Sequence, residues 1–596
     1  MSELQPYTID QFWGVNKSVT ETQLKLGEAS NSVNWMITDD QKLKKMFGYS
    51  HLFDSLGAHK INGEWWGSIG GTNHHIFACN GHVYKHNDTT HVNTDLGTLA
   101  DAYPTTIFSN NNTIYILNGT EFYKWAGTGS ISVVTGYTPI VATATPPSGG
   151  GTLLEAINYI NGQKIQRFSA DGTATVYQIL ETSITSFDQV KVNGVVKTLT
   201  TDYTVNLTNG TVTFVSAPLT GVNNVEITWT KTDAASRALI TNCKQYGGIY
   251  YSRLWLYGNP NYKNTRFPSG ITIVGVSDPE YWPMYSDSNV GEYEITGIVT
   301  QYDKQMIYTS GGSSEASAWY STSETITDPS SGIITILFPV YPVNAKIGNT
   351  ASGQVQVVVN NPITICKGVY EWSSITGVVD EKNATWISQK IQDDLDGLDL
   401  ASALTIDWNE KGLYLLCAGN KVWVLNYRVR AWYVLQFPHT PTCFCVVDGN
   451  LCFGTSSGQI MQFDEEAMTY DGTTISAVWE SGFMNFGVEW LSKFIQRLFT
   501  SLKPELKSRV DITYETDKGN ESDTYTAEYH LIDFDDVDFD DFTFDCSYNP
   551  QPFKFKIRAK KIDYFKLILT NDQDDYGAIV LSITIPTRTG GEIKGR

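Results

Sequence analysis

The chain has 596 residues, of which 41% are hydrophobic, 13% aromatic and 18% charged. It is several times longer than a domain of about 100–200 residues, so we expect more than one folded unit, and its richness in aromatic residues excludes an intrinsically disordered protein. Its 42 Lys and Arg residues against 63 Asp and Glu residues give a formal net charge of −21. That charge argues against a protein that wraps nucleic acid, but it leaves room for a local basic patch.

The sequence lacks the usual signals for membranes, secretion and disulfides. It contains no run of about 20 apolar residues, so we expect no membrane span. Its start, MSELQPYTID, is not a secretory signal. Eight cysteines are too sparse for a disulfide scaffold, which favours a reducing compartment and synthesis in the cytoplasm. We interpret Cys443 and Cys445 as small buried side chains on one strand face rather than as metal ligands or a redox pair.

Short strands dominate the predicted elements. Period-two or β-branched runs occur at Thr211–Phe214, Asn224–Trp229, Val355–Val359 and Phe553–Ile557. Asn-Gly or Asp-Gly pairs, which tolerate positive φ, predict tight hairpins at Asn62, Asn80, Asn118, Asn193, Asn209 and Asp448. Helix candidates are few: Asp233–Ile240, and Lys493–Leu502, which a strand would fit equally well.

A loose repeat of a turn followed by an aromatic strand runs through the chain. Its aromatic positions are Tyr84, Tyr115, Tyr257, Tyr308, Tyr414 and Phe453. The spacing approaches the 40–50 or so residues of a propeller blade if residues 145–231 are an insertion and one divergent unit lies between Tyr308 and Tyr414. We therefore predict a mainly β fold with a β-propeller-like body, an inserted small β-sandwich and a β-rich C-terminal region. Stacked β-sandwiches are the alternative.

Four regions follow from this pattern. Residues 1–144 would hold an N-terminal segment and the first blades. A Pro/Gly linker opens the insertion at 145–231, which is predicted to be an immunoglobulin-like or jelly-roll β-domain. Residues 232–473 would hold the remaining blades. Residues 474–596 would close the propeller or form a platform.

Acidic, histidine and cysteine clusters are the candidate metal sites. Residues 533–545 contain seven Asp and four Phe, and Asp394–Gly397 is a weaker acidic motif; calcium binding competes at both with ordinary structure. Five histidines lie near Cys79 in sequence, which makes a zinc site conceivable, although structural or surface roles are favoured. These histidines are His74, His75, His82, His86 and His91.

No catalytic motif stands out in the sequence. The common nucleophile, metalloprotease and nucleotide-binding motifs are absent. Ser169–Gly172 is a poor match to the repeated turn of propeller sialidases. We therefore expect a protein that is not an enzyme, with no catalytic, cofactor-binding or metal residues and no cofactor.

Several segments together resemble the tail nozzle, or tail tubular, proteins of short-tailed bacteriophages, a group that includes DNA-stabilisation and tail hub proteins. The resemblance covers most of residues 100–596, and each motif is short. The segments that carry it are Asn112–Gly119 with Tyr123–Trp125, Ser277–Pro283, Asn420–Arg428 with Ala431–Tyr433, Asp448–Phe463 and Gly590–Lys594.

The resemblance implies a structural virion protein in the viral tail, made in the host cytoplasm. It implies a homohexameric ring below the portal and adaptor that retains packaged DNA and lets the double-stranded DNA exit during ejection without specific binding. Tail fibres and the host surface are further implied partners, and loops 259–268 and 344–353 are candidate tips or gates. The first alternative function is a carbohydrate-binding β-propeller or depolymerase that recognises host glycans through Trp and Tyr side chains. A structural adhesin with no tail role is the second.

Overall fold

The computed structural model describes residues 4–272, 274–311, 317–327, 334–374, 383–520, 523–531 and 549–593. Strands account for nearly all of the regular structure in these ranges, which confirms the predicted mainly β class. Among the described residues, no helix is long and apolar enough to cross a membrane.

Seven groups of four hydrogen-bonded strands recur along the described ranges, and we call them blade-like sheets 1 to 7. In each, the first three strands follow one another directly along the chain. Sheet 1 contains Ile61–Ile69, Thr72–Cys79, His82–Asn87 and Val92–Thr98, and sheet 2 contains Thr106–Asn110, Thr113–Leu117, Phe122–Trp125 and Ser132–Val133. Sheet 3 contains Gln245–Tyr250, Arg253–Tyr257, Thr265–Pro268 and Ser288–Asn289; sheet 4 contains Ile295–Gln301, Lys304–Thr309, Ala318–Ser321 and Val340–Asn344; and sheet 5 contains Gln356–Val358, Asn361–Cys366, Gly368–Trp372 and Ala384–Trp386. Sheet 6 contains Leu404–Trp408, Leu413–Ala418, Lys421–Asn426 and Ala431–Gln436, and sheet 7 contains Cys443–Val447, Asn450–Gly454, Ile460–Phe463 and Tyr49–His51.

The repeated aromatic residues occupy equivalent places in these sheets. Five of the six lie buried in the second strand of a sheet, and Tyr84 lies in the third strand of sheet 1. Sheet 5, whose second strand Asn361–Cys366 has no aromatic residue, is the divergent unit expected between Tyr308 and Tyr414. The repeat therefore marks inner strands, most of which are buried on both faces.

The predicted Asn-Gly turns are partly confirmed. Asn80-Gly81, Asn193-Gly194 and Asp448-Gly449 form tight turns with positive φ at both residues. The prediction at Asn62-Gly63 was wrong, because both residues lie buried inside the strand Ile61–Ile69. The hairpin there is made by Gly70-Gly71, which also have positive φ.

An inserted sandwich separates blade-like sheets 2 and 3. Its six-stranded sheet has the order Thr152–Leu153, Ile140–Thr145, Gln163–Ala170, Gly221–Thr230, Ser186–Val192, Val195–Val196; its three-stranded sheet has the order Val176–Gln178, Thr211–Phe214, Tyr203–Asn206. Phe168, Tyr177 and Trp229 are among the side chains of its core. Because this core is separate from that of sheets 2 and 3, the sandwich buries its own apolar residues.

A short helix follows the inserted sandwich, as predicted. It spans Ala234–Thr241, and the Asp233 side chain caps it by accepting hydrogen bonds from the backbone N–H groups of Ala235 and Ser236. Such caps are preferred because they satisfy otherwise unpaired N–H groups. The other described α-helix is the single turn Gln392–Leu395, with 3₁₀ turns at Glu21–Gln23, Gln389–Ile391 and Leu400–Ser402.

The chain divides into two compact units. Unit 1 comprises residues 1–66, 86–92 and 353–596, and unit 2 comprises residues 67–85 and 93–352. Unit 2 therefore contains the inserted sandwich and blade-like sheets 2 to 4, whereas unit 1 contains blade-like sheets 5 to 7.

In unit 1, strands from both ends of the sequence share sheets. One sheet has the order Trp35–Ile37, Leu43–Lys45, Ile579–Glu592, Leu491–Leu502, Pro552–Ile562, with Gln5–Ile9 paired to Ile579–Glu592. A second extends blade-like sheet 6 through Gly14–Val15, Glu28–Val33, Ala477–Ser481, Phe565–Asn571, Lys507–Thr516 and Gly519–Asn520, with Tyr525–His530 also paired to Lys507–Thr516. Thr469–Tyr470 and Thr473–Thr474 extend blade-like sheet 7. In unit 2, Gly270–Ile271 pairs with Ser277–Asp278, and Glu324–Thr327 pairs with Ile334–Leu337. The candidate segment Lys493–Leu502 is thus a strand, not a helix.

Lys45 ties these chain ends together. Its buried ammonium donates hydrogen bonds to Asn571 Oδ1 at 2.9 Å and to the carbonyl oxygens of Gln573 and Tyr576 at 2.7 and 3.1 Å. Burial lowers the pKa of Lys45 to about 8. A loop near the C-terminus therefore wraps a cation that is carried by an N-terminal strand.

Arg266 is the corresponding buried cation of unit 2. Its guanidinium is fully buried and lies 4.5 Å from the Trp255 ring centre. Its acceptors are neutral oxygens: those of Ser288 at 2.8 Å, Gln305, Ser321 at 3.1 Å and the Phe338 carbonyl at 2.6 Å. Burial lowers the pKa of Arg266 to about 9. One side chain thus connects blade-like sheets 3 and 4.

We expect Arg266→Met to destabilise unit 2 by about 3 kcal/mol, because it leaves several buried acceptors without a donor. The measurement is urea unfolding followed by tryptophan fluorescence. Arg430→Met is the control, since Arg430 forms an exposed ion pair with Glu371 at 2.6 Å and such pairs contribute at most about 1 kcal/mol. Equal losses in the two variants would contradict this role for Arg266.

Candidate functional surfaces

The clustered histidines have separate contacts, although the rings of His86 and His91 lie 5.9 Å apart. His82 Nδ1 lies 2.9 Å from Asp95 Oδ2, and buried His74 packs edge-on against Trp125. Burial lowers the pKa of His74. His86 is buried, with its ring 5.2 Å from that of Phe53. Across the described ranges, no three His, Cys, Asp or Glu side chains converge as metal ligands, and the proposed zinc group is not assembled.

Cys443 and Cys445 lie on one strand, and Cys452 is opposite Cys445 on the next strand. Burial raises the pKa of all three thiols well above the ordinary value. A thiol is nucleophilic only as the thiolate, so these groups are unreactive at neutral pH. Cys443 and Cys445 are only half-buried, so the interpretation of both as small buried side chains is confirmed for their place on one strand but not for full burial.

Asp394, the central carboxylate of one calcium candidate, already has cationic partners. Its oxygens lie 2.6 Å from Lys17 Nζ and 3.7 Å from Lys421 Nζ, and it accepts a hydrogen bond from Trp423 Nε1 at 3.3 Å. These ion pairs favour the ordinary structural role of Asp394 over the weaker calcium alternative for Asp394–Gly397. The other calcium candidate, residues 533–545, lies outside the described residues.

Asp407 in blade-like sheet 6 has a perturbed pKa without a catalytic partner. Burial raises the pKa of its carboxyl to about 6, and the neighbouring Glu410 adds to the increase. The Tyr427 hydroxyl is its hydrogen-bond partner. A buried carboxylate whose partner is one hydroxyl group lowers the free energy of unfolding at neutral pH. The charged form of Asp407 therefore destabilises the fold.

The raised pKa of Asp407 determines whether this carboxyl group makes the fold more or less stable as the pH rises. A raised carboxyl pKa means that the folded state binds more protons between about pH 4 and 6, so its contribution to stability falls as pH rises through that window. We expect Asp407→Asn to increase the free energy of unfolding by about 1–2 kcal/mol at pH 7.5 and to give no gain at pH 3.5. Urea unfolding at both pH values measures this. Asp303→Asn, at an exposed hairpin, should show no such difference.

Two exposed tyrosines lie at neighbouring hairpin tips in unit 2. Tyr251 joins the first two strands of blade-like sheet 3 and Tyr302 those of sheet 4, with exposed fractions of 49% and 65%. Both have positive φ, 50° and 54°, where an L side chain costs about 1–2 kcal/mol. The Tyr250 hydroxyl donates to the Asp303 carbonyl at 3.0 Å and keeps the two tips adjacent. Exposed aromatic rings on strained backbone are candidates for ligand binding. The period-two pattern of the sequence did not distinguish Tyr251 and Tyr302 from other strand aromatics.

The inserted sandwich has an exposed apolar end. Gln163 pairs with Thr230 where the chain enters and leaves, whereas Ala170 pairs with Gly221 at the opposite end. That far end has a groove of about 510 Å³ lined by Ala144, Pro146, Pro147, Ser148, Ser169, Ala170, Asp171, Ala174 and Val176. The neighbouring Leu219 and Val222 are 77% and 80% exposed. The Ser169–Gly172 motif forms this rim: Asp171 accepts from the N–H groups of Thr173 and Ala174.

The two loops expected to be tips or gates are held in place. Within 259–268, the strand Thr265–Pro268 is fully buried, so the expectation of an exposed tip was wrong for that part. Within 344–353, Asn344 Oδ1 accepts hydrogen bonds from the N–H groups of Lys346 and Ile347, and buried Asn349 donates to the Ala351 carbonyl at 2.6 Å.

Comparisons with known proteins give distant likenesses. No family model and no curated protein matches the chain. Solved structures that it resembles include the computationally designed Ika8 protein (9% identity, 70% of this chain and 99% of that chain, TM-score 0.30). BamB from Moraxella catarrhalis is 10% identical, with 68% of this chain and 85% of that chain covered and a TM-score of 0.31. An exo-β-1,3-galactanase from Phanerochaete chrysosporium is 8% identical, with 57% of this chain and 95% of that chain covered and a TM-score of 0.20. At these TM-scores they carry no functional argument.

Proposed function

We propose that this protein is a structural subunit of the tail of a short-tailed bacteriophage. It would form a homohexameric nozzle below the portal and adaptor, retain packaged DNA and let it pass during ejection. The observation that carries the proposal is the position of the nozzle-like segments. Asn112–Gly119, Asn420–Arg428 and Asp448–Phe463 contain paired strands of blade-like sheets 2, 6 and 7.

The other nozzle-like motif with a structural role is Ser277–Pro283. Its Trp282 is fully buried against Phe122, and its indole N–H donates to the Pro279 carbonyl at 2.8 Å. The residues that carry the resemblance are thus residues that hold the sheets together. This supports a shared architecture rather than a shared reactive site.

Charge supports a conduit as well. A tube for DNA must not hold the duplex at many phosphates, and a subunit with net charge −21 can provide a repulsive or neutral lining. Exposed apolar groups, such as those at the far end of the inserted sandwich, can supply contacts between copies or with tail fibres and the host surface. The proposed role requires no catalysis.

Particle shape tests the proposal. Purified protein should form hollow six-fold rings in negative-stain images, with a mass in mass photometry of six times the 66.3 kDa chain. A strictly monomeric protein at micromolar concentration, with no ring on addition of a portal–adaptor complex, would contradict the nozzle.

The exposed Tyr251 and Tyr302 rings favour a second candidate, a glycan-binding protein. Sugar rings stack on exposed aromatic side chains, and an isolated stacking contact is worth about 1 kcal/mol. This function predicts that Tyr251→Ala/Tyr302→Ala weakens binding on a bacterial glycan array at least tenfold. Tyr123→Ala, which removes a half-buried ring elsewhere in unit 2, is the control. An array on which the wild-type protein binds no glycan eliminates this candidate.

A further inference from the structure

Pro552–Ile562, the outermost strand of its sheet among the described residues, presents a regular row of cations. Ile557, Ala559 and Ile562 point into the core, whereas the alternating residues between and before them are exposed. These exposed residues are Lys554, Lys556, Arg558 and Lys560. Because side chains alternate along a strand, the four charges lie on one face at intervals of about 6.6 Å over about 20 Å.

The neighbouring strands extend this basic face. Exposed Arg497 is opposite Lys556, and exposed Arg588 lies one strand further across the sheet, opposite Phe494. Half-buried Phe494 is also opposite Lys560. We call the six cations, with Phe494 and the half-buried Phe499 opposite Lys554, the basic face.

The cations of the basic face make no ion pair within the described part of the chain. Some cations elsewhere in unit 1 form ion pairs, such as Lys17 with Asp394 and Lys566 with Glu480. By strand register, the described acid at the rim of this face is Glu592, opposite Leu491 at the far end. The protein has a net charge of −21, so this cluster of six cations without ion pairs is a positively charged patch on a negatively charged protein.

The composition of the basic face selects its partner. Protein–protein interfaces are depleted of Lys at their centre and rich in apolar groups, whereas here the charges lie at the centre. A row of evenly spaced cations on an extended strand suits a polymer with evenly spaced anions, and duplex DNA has one charge per about 1.7 Å of axis. Aromatic rings among the cations are typical of surfaces that track nucleic acid.

We propose that the basic face binds the sugar–phosphate backbone of DNA without sequence preference. This goes beyond the proposed conduit, whose lining must not hold DNA: the basic face would be a contact outside that lining, and the proposal does not depend on ring formation. Phosphates would pair with Lys554, Lys556, Arg558 and Lys560 in turn, with Arg497 and Arg588 widening the contact. Non-specific contacts of this kind give dissociation constants of about 10⁻⁶–10⁻⁴ M at physiological salt.

Fluorescence anisotropy of the full chain with a labelled 30-base-pair duplex, and with a single strand of equal length, tests the proposal across a salt series. Lys556→Gln/Lys560→Gln removes two cations and should reduce the slope of log K against log salt by about 1.8 for the duplex. Lys25→Gln/Lys367→Gln is the matched control: it removes two exposed lysines elsewhere in unit 1 and should leave the slope unchanged. All four positions are exposed, and thermal unfolding checks that each variant is folded.

Three results would overturn the proposal: no DNA binding at 50 mM salt and 100 µM protein, equal weakening in both double variants, or binding to phosphatidylglycerol vesicles without binding to DNA. Tighter binding of the single strand than of the duplex would assign the face to single-stranded DNA and still support it. Negative-stain images of the same preparation separate this question from the nozzle. Rings that fail to bind DNA reject the basic face alone, and DNA binding by a protein that forms no ring even with a portal–adaptor complex rejects the nozzle alone.

Discussion

Hydrogen bonding between strands from opposite ends of the chain is the constraint on which unit 1 depends. Gln5–Ile9 and Leu43–Lys45 both pair with Ile579–Glu592, and Tyr49–His51 completes blade-like sheet 7. Unpaired strand edges are unstable and prone to aggregation, so each of these pairings both satisfies backbone groups and covers an edge. The Lys45 ammonium in its cage of C-terminal oxygens adds a polar tie to the same junction.

Charged groups in this protein mostly serve the fold. Arg266 and Lys45 are buried cations held by neutral oxygens, and Asp394 is held by two lysines. A buried charge costs several kcal/mol unless it is hydrogen-bonded, so each fixes the elements around it in one arrangement. The basic face differs from them, because its charges are exposed and are not used by the described structure.

Local pattern predicted much of this architecture. Period-two alternation and Asn-Gly turns located strands, the aromatic repeat located the second strands of the sheets, and Asp233 located a helix start. Pairing between distant segments could not be predicted, because a strand's sequence does not specify its partner; the N-terminal strands were therefore assigned to the first blades. Lys493–Leu502 stayed ambiguous because its apolar residues fit both periods.

The candidate surfaces were predicted less well than the fold. The acidic motif at Asp394 resembled a metal loop, but Lys17 and Lys421 come from segments far away in sequence. Tyr251 and Tyr302 look like ordinary strand aromatics until their positive φ and exposure are known. The run Phe553–Ile557 was predicted as a strand, yet only the register with Arg497 and Arg588 shows that its charges belong to a wider basic face.

The pairing of the first strands with the last has a consequence during synthesis. Gln5–Ile9 is synthesised long before its partner Ile579–Glu592, and the two strands can pair only once both have left the ribosome. Each doubling of the length of a closed loop adds only about 0.6 kcal/mol of entropy cost, so the distance along the chain delays this pairing more than it weakens it. The inserted sandwich, whose strands all lie between residues 140 and 230, can fold on the nascent chain, because domains generally fold as units during translation. The sheets of unit 1 that contain Gln5–Ile9 and Leu43–Lys45 therefore close later than the sandwich does.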